Sequence, residues 1–214
     1  MKQGDELWLK SRETCAITAS EAASALGVGY ESASQYMRRK LKLIPDKEPN
    51  EFMLAGQKYE DWVVHLYREY VGADNVTIEC DAFRVDAADN RLGGSPDRLV
   101  TFKETDETVL LECKTCWAGS VREEIPIAHK IEMFLLCHIY GLSKAHYACW
   151  SATCGVCFAE VTFDDDLWQL VYPYLKAFAD MWSAKQVPGR MKVEQKTFIT
   201  EIFSDKVFVT ELKK

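Results

Sequence analysis

The sequence predicts a mixed α/β fold in which a central mixed β-sheet is flanked by α-helices. Two observations carry this prediction. Apolar side chains recur at steps of three and four in several segments, which is the period of a helix with one buried face. The middle of the chain, about 76–115, contains instead short β-prone runs separated by polar turns. The resulting order is helices, sheet, helix, strands and helix, which is typical of the mixed class.

Each predicted helix has a signal at one of its ends. Thr18-Ala19-Ser20-Glu21 has the form of a capping box, and Gly27 can close the helix that this box opens. Gly72 and Gly141 are placed to end two further helices. The predicted helices are 19–26, 33–42, a longer one over about 55–70, 127–140 and 165–184.

The predicted strands form two groups. The first contains 76–78, 99–102 and 109–111, and the second contains 145–150 and 156–163. The polar segment between 102 and 109 is able to turn, so we expect a hairpin centred near Thr105. The alternating segments 197–203 and 207–210 fit an added hairpin, an edge strand or an intersubunit arm, and the sequence does not choose among these.

Length and charge limit the function. The chain has 214 residues with 26 basic and 33 acidic side chains, a net charge of -7, so we expect one domain that does not coat nucleic acid by general attraction. The densest positive patch is the cluster Arg38, Arg39, Lys40 and Lys42. No apolar run is long enough to cross a bilayer, and the first ten residues do not resemble a secretion signal. We therefore expect no membrane association and a location in the cytoplasm, or in the host nucleus if the source is a eukaryotic virus.

The most informative stretch runs from Gly93-Gly94-Ser95-Pro96-Asp97 to Glu112-Cys113-Lys114. If the two flanking runs pair as a hairpin, Asp97 lies across from Glu112, while alternation places Glu112 and Lys114 on one face. Asp97, Glu112 and the carbonyl oxygen of Cys113 form an all-oxygen set suited to magnesium or manganese. A divalent cation beside Lys114 favours attack of water on a phosphodiester. The alternative is a surface hairpin with ordinary charges.

Pro96-Asp97 followed by Glu112-Cys113-Lys114 resembles the signature of the PD-(D/E)xK nuclease superfamily. Further segments are similar to the family of phage lambda exonuclease and the YqaJ-type viral recombinases; they are Trp8 through Arg12, Ile17-Thr18-Ala19-Ser20, Gly56-Gln57-Lys58-Tyr59-Glu60 and Ser95-Pro96-Asp97. The resemblance implies a restriction-endonuclease-like core within one domain, residues 1–214, with the core over about 8–184. Residues 185–214 would be an extension of uncertain role.

The resemblance also implies roles for individual residues. Asp97 and Glu112 would bind Mg²⁺, with Mn²⁺ as a substitute, Glu60 would complete the metal site, and Lys114 would activate the water. Arg12 and Ser20 would bind a terminal 5′-phosphate. Independently, Thr18 to Glu21 begins a helix, whose free N–H groups favour an anion, and an arginine nearby can grip a phosphate bidentately. Alternatively, Arg12 pairs with a neighbouring acid.

Three more residues are weaker candidates for the site. Asp86 could match a further acid of the family, with Asp89 as its competitor. The family often has a glutamine on the helix before the last strands, and the sequence departs from it there: the nearest residues are Glu132 and His129, and the alternative for Glu132 is a surface acid. His65 lies one turn beyond Glu60 and could touch the site, although a packed or surface histidine is the simpler interpretation.

The function implied by the resemblance is a metal-dependent 5′-to-3′ exonuclease that resects double-stranded DNA ends for recombination or repair. A homotrimer around the DNA and a partner that anneals single strands are implied in the same way. One alternative keeps the nuclease core in a structure-specific or restriction-type endonuclease. Another, from a different class, is a nucleic-acid binding module without turnover.

The cysteines admit two interpretations. Cys113-x-x-Cys116 and Cys154-x-x-Cys157 have the spacing of a four-thiolate zinc or iron–sulfur site. Residues three apart on an extended strand face opposite sides, which disfavours Cys113 and Cys116 as a chelating pair. Buried thiols are the preferred interpretation, and whether Cys154 and Cys157 bind a metal is left open.

Overall fold

A computed structural model of the protein describes residues 6–116, 124–206 and 209–212. The helices are α1 (Glu6–Glu13), α2 (Ala22–Ala25), α3 (Ala33–Lys40), α4 (Glu51–Val71), α5 (Ile127–Tyr140), α6 (Asp165–Ser183) and α7 (Val193–Glu201). The strands are β1 (Ile17–Thr18), β2 (Val76–Glu79), β3 (Arg84–Val85), β4 (Leu92–Gly94), β5 (Arg98–Phe102), β6 (Glu107–Cys116), β7 (Lys144–Ser151), β8 (Gly155–Thr162) and β9 (Val209–Glu211).

The main sheet has six strands in the order β2-β5-β6-β7-β8-β9. The β6 and β7 strands are parallel, and every other neighbouring pair in this sheet is antiparallel. The polar turn predicted near Thr105 joins β5 to β6 as a hairpin in which Arg98 pairs with Leu111. A smaller sheet has the order β1-β4-β3.

Apolar residues cover both faces of the main sheet. Leu110, on one face of β6, belongs to the larger core, which also includes residues from α2, α3, α5 and α6. Leu111, on the other face, belongs to a second core with Val63 and Tyr67 of α4. The predicted class, a central mixed sheet flanked by helices, is therefore confirmed.

Local signals explain where the long helices begin and end. The side chain of Asn50 accepts a hydrogen bond from the backbone N–H of Met53 and begins α4, and Asp164 does the same for α6 through Leu167. Gly141 ends α5 in the left-handed conformation, with φ of 66°, which glycine adopts without steric cost.

The first predicted helix is wrong in detail. Residues Ala19–Glu21 form a 3-10 turn that leads into the four-residue α2. The Thr18 side chain makes no capping hydrogen bond to the backbone; its hydroxyl donates to Glu21 Oε2 over 2.9 Å instead. The capping box is therefore replaced by a side-chain pair.

The C-terminal part differs from the alternation that the sequence suggested. Residues 197–201 are helical within α7, and a π-helical turn, Ile202–Lys206, follows. Ile199, Ile202 and Phe203 are buried in the larger core, at a spacing of three and four that suits a helix. Of the second alternating segment, 209–210 belong to the edge strand β9, and 207 and 208 lie outside the described residues.

None of the helices in the described part of the chain combines the length and the apolar character needed to cross a membrane.

Candidate active site

The β5–β6 hairpin brings together the two acids that the sequence singled out. Asp97 immediately precedes β5, and its Oδ2 accepts a hydrogen bond of 2.8 Å from the backbone N–H of Cys113. Glu112 is therefore adjacent to Asp97 across the hairpin. The Cys113 side chain packs with the core on the α4 side of the sheet, whereas Glu112 and Lys114 are joined on the other side.

Lys114 connects the strand to α5. Its Nζ donates to Glu112 Oε1 and, over 2.8 Å, to Glu132 Oε2. Both acids are buried, and the side chain of Lys114 is largely shielded from solvent. Glu132 is thus part of the site, as the direct ion-pair partner of Lys114.

Burial and mutual repulsion disturb the ionisation of this group. Burial, assisted by the carboxylates of Glu60 and Glu132 and opposed by Lys114, raises the pKa of Asp97 to about 6. Burial and the neighbouring Asp97 and Glu132 raise the pKa of Glu112 well above its ordinary value. Burial lowers the pKa of Lys114, but the surrounding carboxylates outweigh it, so the net shift is upward. One ammonium does not neutralise the negative charge collected here.

The donor chemistry fits a hard divalent cation. Asp97, Glu112 and the backbone carbonyl of Cys113 offer oxygen ligands only, and a cation would relieve the repulsion that adds to burial in raising the carboxylate pKa values. Within the described ranges, no three His, Cys, Asp or Glu side chains are already arranged to hold a metal ion.

Glu60 faces the same site from α4 but is held by an arginine. Arg98 Nη1 donates to Glu60 Oε1 over 2.6 Å and also to the carbonyl oxygen of Asp97, while Nη2 donates to Asp61 Oδ1 over 2.7 Å. The guanidinium of Arg98 therefore links α4 to Asp97. Burial lowers the pKa of Arg98, but the interaction with Glu60 outweighs burial. The net shift of this pKa is therefore upward.

The predicted phosphate site lies at the other end of the same cleft. Arg12 Nη2 is 3.3 Å from the hydroxyl oxygens of both Thr18 and Ser20. The guanidinium also lies over the ring of Trp8, 4.5 Å from its centroid. Trp8 Nε1 donates to Ser95 Oγ over 2.9 Å, so α1 is tied to the loop that precedes Asp97.

A single cleft of about 430 Å³ joins the two groups. Its lining includes Trp8, Arg12 and Ser20 at one end and Glu60, Asp97, Glu112, Lys114 and Glu132 at the other. The structure thus brings together the catalytic and phosphate-binding candidates, with Thr18 in contact with Arg12.

Close packing of β4 fixes one wall of this cleft. A Cβ atom on Gly94 would lie 2.7 Å from Leu136 Cδ2 and 2.8 Å from the Cβ of Ala19. Only glycine allows β4 to approach α5 and the 3-10 turn this closely. The Gly-Gly pair before Ser95 therefore sets the path of the backbone toward Asp97.

Two of the weaker candidates lie elsewhere. Asp86 is buried and accepts a hydrogen bond of 2.7 Å from the Tyr172 hydroxyl, and His138 Nε2 is 3.4 Å from its other oxygen. His65 is exposed on α4, where its ring contacts Trp62. Neither residue lines the cleft. Asp89, the competitor of Asp86, is paired with Arg91.

The four cysteines of the two Cys-x-x-Cys motifs do not form one metal site in the part of the chain that the structure describes, although Cys116 and Cys157 both adjoin Cys149. Cys113 and Cys116 pack on opposite faces of the sheet, as strand alternation predicted. Cys154 is exposed at the turn between β7 and β8, and Cys157 is partly buried. Cys116 Sγ instead lies 3.3 Å from Cys149 Sγ on the neighbouring strand.

Sequence reasoning missed the contacts of Arg98 and Trp8. Arg98 directly follows Asp97, and alternation alone points it away from Asp97. Its partners are an adjacent acidic pair, Glu60-Asp61, far away in the sequence. That acidic pair on a predicted helix was the only available signal, and it does not identify which cation it meets.

Comparisons with known proteins identify the family and the fold of the chain. The model of the YqaJ-like viral recombinase domain matches residues 7–142, more than half of the chain. No curated protein sequence is significantly similar. Among solved structures, the chain is similar to an alkaline exonuclease, LHK-Exo, from Laribacter hongkongensis, with a TM-score of 0.69 and 18% identity over 85% of this chain and 94% of the other. A structure of LHK-Exo in complex with dAMP gives the same TM-score, 0.69, the same coverage of 85% and 94%, and 17% identity.

A phage-related exonuclease from Haemophilus somnus 129PT is also similar, with a TM-score of 0.58 and 10% identity over 78% of this chain and 93% of the other. These likenesses confirm the nuclease-type fold that the sequence predicted. The family match confirms the resemblance carried by the motifs from Trp8 to Lys114. The chain belongs to the family of YqaJ-like viral recombinase domains.

Proposed function

We propose that this protein is a metal-dependent 5′-to-3′ exonuclease that resects double-stranded DNA ends for viral or phage-type recombination or repair. One observation carries the proposal. A single cleft contains a carboxylate and ammonium group suited to phosphodiester hydrolysis and, at its other end, an arginine flanked by two hydroxyl groups. Such a cleft can hold the terminal phosphate of a strand while the adjoining linkage is hydrolysed.

In this proposal, Asp97, Glu112, Glu60 and the carbonyl of Cys113 hold Mg²⁺, with Mn²⁺ as a substitute. A bound divalent cation would supply charge stabilisation to the reacting phosphoryl group and favour ionisation of the attacking water. Lys114 activates the water, and Glu132 holds the Lys114 ammonium over 2.8 Å.

The proposed direction of digestion, from the 5′ end, depends on Arg12. Its guanidinium approaches two hydroxyl groups but forms no ion pair with a carboxylate among the described residues. A terminal phosphate dianion can take the remaining donors bidentately, together with the hydroxyls of Thr18 and Ser20. Recognition of a 5′-phosphate at this end would place the first linkage of that strand toward Asp97 and Glu112.

The structural neighbours support nuclease chemistry. Two of the similar proteins are described as an alkaline exonuclease and a phage-related exonuclease, and the first has been crystallised with dAMP. The match to a viral recombinase domain supports the assignment of this nuclease to recombination.

Three further elements belong to the proposal. We infer that the 214 residues act as one nuclease domain, since Ile199, Ile202 and Phe203 of the C-terminal region are buried in the same core as residues of α2 and α5. A homotrimer around duplex DNA and a single-strand annealing partner are supported by the resemblance alone. The site of action would be the cytoplasm, or the nucleus of a eukaryotic host.

The test is digestion of end-labelled duplex DNA with magnesium, comparing 5′-phosphate ends, 5′-hydroxyl ends and covalently closed circles. We expect release of nucleotides from linear duplex, fastest with 5′-phosphate, and dependence on the divalent cation. Rapid cutting of the closed circle would favour the endonuclease alternative. Binding without cleavage of any substrate would favour the non-catalytic module.

A further inference from the structure

A second cavity lies between the α2–α3 region and the segment that precedes α7. It has a volume of about 500 Å³ and is lined by Gly27, Ser32, Ala33, Ser34, Arg38, Val187, Pro188, Gly189, Arg190, Met191 and Lys196. None of these residues lines the cleft of the active site. The cavity includes one member of the basic cluster noted in the sequence, Arg38, which the proposed catalytic function does not use.

The cavity concentrates positive charge. Arg38, Arg190 and Lys196 are exposed, and none of them forms an ion pair with another residue that the structure describes. No acidic side chain is among the residues lining the cavity. Four of the other arginines that the structure describes are paired with carboxylates, namely Arg39, Arg84, Arg91 and Arg98. In a chain of net charge -7, three cations without acidic partners around one cavity provide a local site for an anion.

The walls of this cavity are anchored to the core. Met191 packs so tightly against Gly27 that a Cβ atom there would lie 2.6 Å from Met191 Sδ. Val187 and Met191 both pack against the larger core. Lys196 lies on α7, which is held by the buried Ile199. The cations are therefore presented by fixed backbone segments, although their side chains reach solvent.

The helix α3 connects the cavity to the active-site cleft. Residues 33 and 34, at the start of α3, line the cavity, and Lys40, at the end of α3, donates from its Nζ to the carbonyl oxygen of Arg12 over 3.1 Å. The eight residues of α3 span about 12 Å. Successive base pairs of DNA rise by about 3.4 Å, so α3 covers roughly three to four nucleotides.

We propose that the cavity lined by Arg38, Arg190 and Lys196 binds backbone phosphates of the DNA substrate several nucleotides away from the end held at Arg12. The inference rests on the proposed nuclease function and adds a second contact that the active-site cleft does not provide. A strand is favoured over a free nucleotide because the cations are distributed over two chain segments, one of which, α3, also reaches Arg12 at the cleft. The chemical group recognised is in either case a phosphate.

The test is binding of a short 5′-phosphorylated duplex, long enough to reach both sites, measured by fluorescence anisotropy in EDTA so that no strand is cleaved. The variant is Arg190→Gln/Lys196→Gln. The matched control is Arg68→Gln/Lys103→Gln, which removes the same charge from exposed positions outside both cavities. The dissociation constant is followed between about 50 and about 200 mM salt, and circular dichroism checks the fold of each variant.

Each phosphate that is bound by a cation adds about 0.9 to the slope of log affinity against log salt. We therefore expect the slope of the cavity variant to be smaller by about 1.8, with affinity at about 0.1 M salt weakened roughly eightfold for each phosphate that is no longer bound. The control variant should keep the slope of the parent. A cavity variant with the parent's slope, or an equal change in the control, would overturn the inference.

Two further measurements distinguish binding of a DNA strand from binding of a free nucleotide, and failure of the cavity inference from failure of the proposed function. Isothermal titration with dAMP should show no loss of binding that is specific to the cavity variant. If that variant loses dAMP binding but keeps the duplex slope, the cavity takes a free nucleotide and the strand proposal is wrong. If the parent cleaves linear duplex in magnesium while the slopes are equal, only the cavity inference fails. A parent that neither binds nor cleaves duplex DNA would refute the proposed function itself.

Discussion

Replacement of Arg98 by methionine should both destabilise the fold and impair the active site. The guanidinium makes three hydrogen bonds, to Glu60, to Asp61 and to the carbonyl oxygen of Asp97. The side chain of Arg98 is 12% exposed and that of Glu60 is 23% exposed, whereas Asp61 is 94% exposed. The methionine side chain keeps most of the apolar stem but leaves the Glu60 carboxylate without its cation.

The expected loss of stability follows from the exposed fractions of these three side chains. A charge-assisted hydrogen bond contributes about 1.5–3 kcal/mol to stability when it is shielded from solvent, and the exposed hydrogen bond to Asp61 contributes little. We expect the free energy of unfolding to fall by about 2 kcal/mol, since Glu60 still reaches some solvent and part of the gain is screened. For a chain of this size, that corresponds to a fall in Tm of about 4–8 °C.

The catalytic effect should be larger than the loss of stability suggests. Arg98 is a positioning residue, since it acts through Glu60 and through the backbone of Asp97. Removal of such a supporting hydrogen bond typically lowers metal affinity or activity by about tenfold to a hundredfold. We therefore expect the Arg98→Met protein, assayed well below its Tm, to need more Mg²⁺ for half-maximal cleavage of linear duplex. Arg98→Lys should recover part of both losses.

The assays are thermal unfolding followed by circular dichroism and initial cleavage rates over a magnesium titration. Asp61→Asn is the matched control, because it removes only the exposed ion pair between Arg98 and Asp61. It should change the unfolding free energy by less than about 0.5 kcal/mol. The reasoning is refuted if Arg98→Met has the parent's Tm and magnesium dependence, or if Asp61→Asn costs as much as Arg98→Met.

Three other perturbations test separate parts of the structure. Arg12→Ala should reduce the preference for 5′-phosphorylated over 5′-hydroxyl ends by about tenfold or more, as expected when a charge-assisted hydrogen bond is removed; an unchanged preference in end-labelled digestion would mean that the phosphate site is misplaced. Gly94→Ala should lower the unfolding free energy by about 1–3 kcal/mol, because the new Cβ would lie 2.8 Å from that of Ala19. Gly189→Ala, whose added Cβ would have no atom within 4 Å apart from its chain neighbours, should be nearly neutral in the same denaturation experiment, and equal costs would contradict the packing argument. Burial lowers the pKa of His146 from its ordinary 6.5. The unfolded chain therefore binds a proton at this residue more readily, and stability falls as the pH drops below about 6.5. His146→Gln should lose less unfolding free energy than the parent between about pH 7.5 and pH 5.5, and equal losses would exclude this role.

The central hairpin could be predicted because its signals are local. β-prone runs on both sides of a polar turn fix the pairing, and alternation along β6 then places Glu112 and Lys114 on one side. The glycine at 141 similarly fixes the end of α5. These features depend only on neighbouring residues, so one sequence is enough to find them.

Long-range and length-dependent features were not predictable in the same way. The capping signal at Thr18 was present, but the helix that follows has only four residues and the Thr18 hydroxyl turns to Glu21 instead. Residues 197–203 contain both an alternating and a helical apolar pattern, and burial of Ile199, Ile202 and Phe203 in the larger core selects the helix. The clamp made by Arg98 joins residues that are 37 and 38 positions apart, which no periodicity can reveal.

The most direct test of the account is the cleavage of end-labelled linear duplex DNA in magnesium by the parent and by Lys114→Ala. Lys114 is the ammonium that Glu112 and Glu132 share in the cleft, and it lies outside the proposed phosphate contacts. We predict that the Lys114→Ala protein binds the duplex with measurable affinity but no longer releases nucleotides from it. Cleavage by Lys114→Ala at the rate of the parent would contradict the assignment of this cleft as the site of phosphodiester hydrolysis.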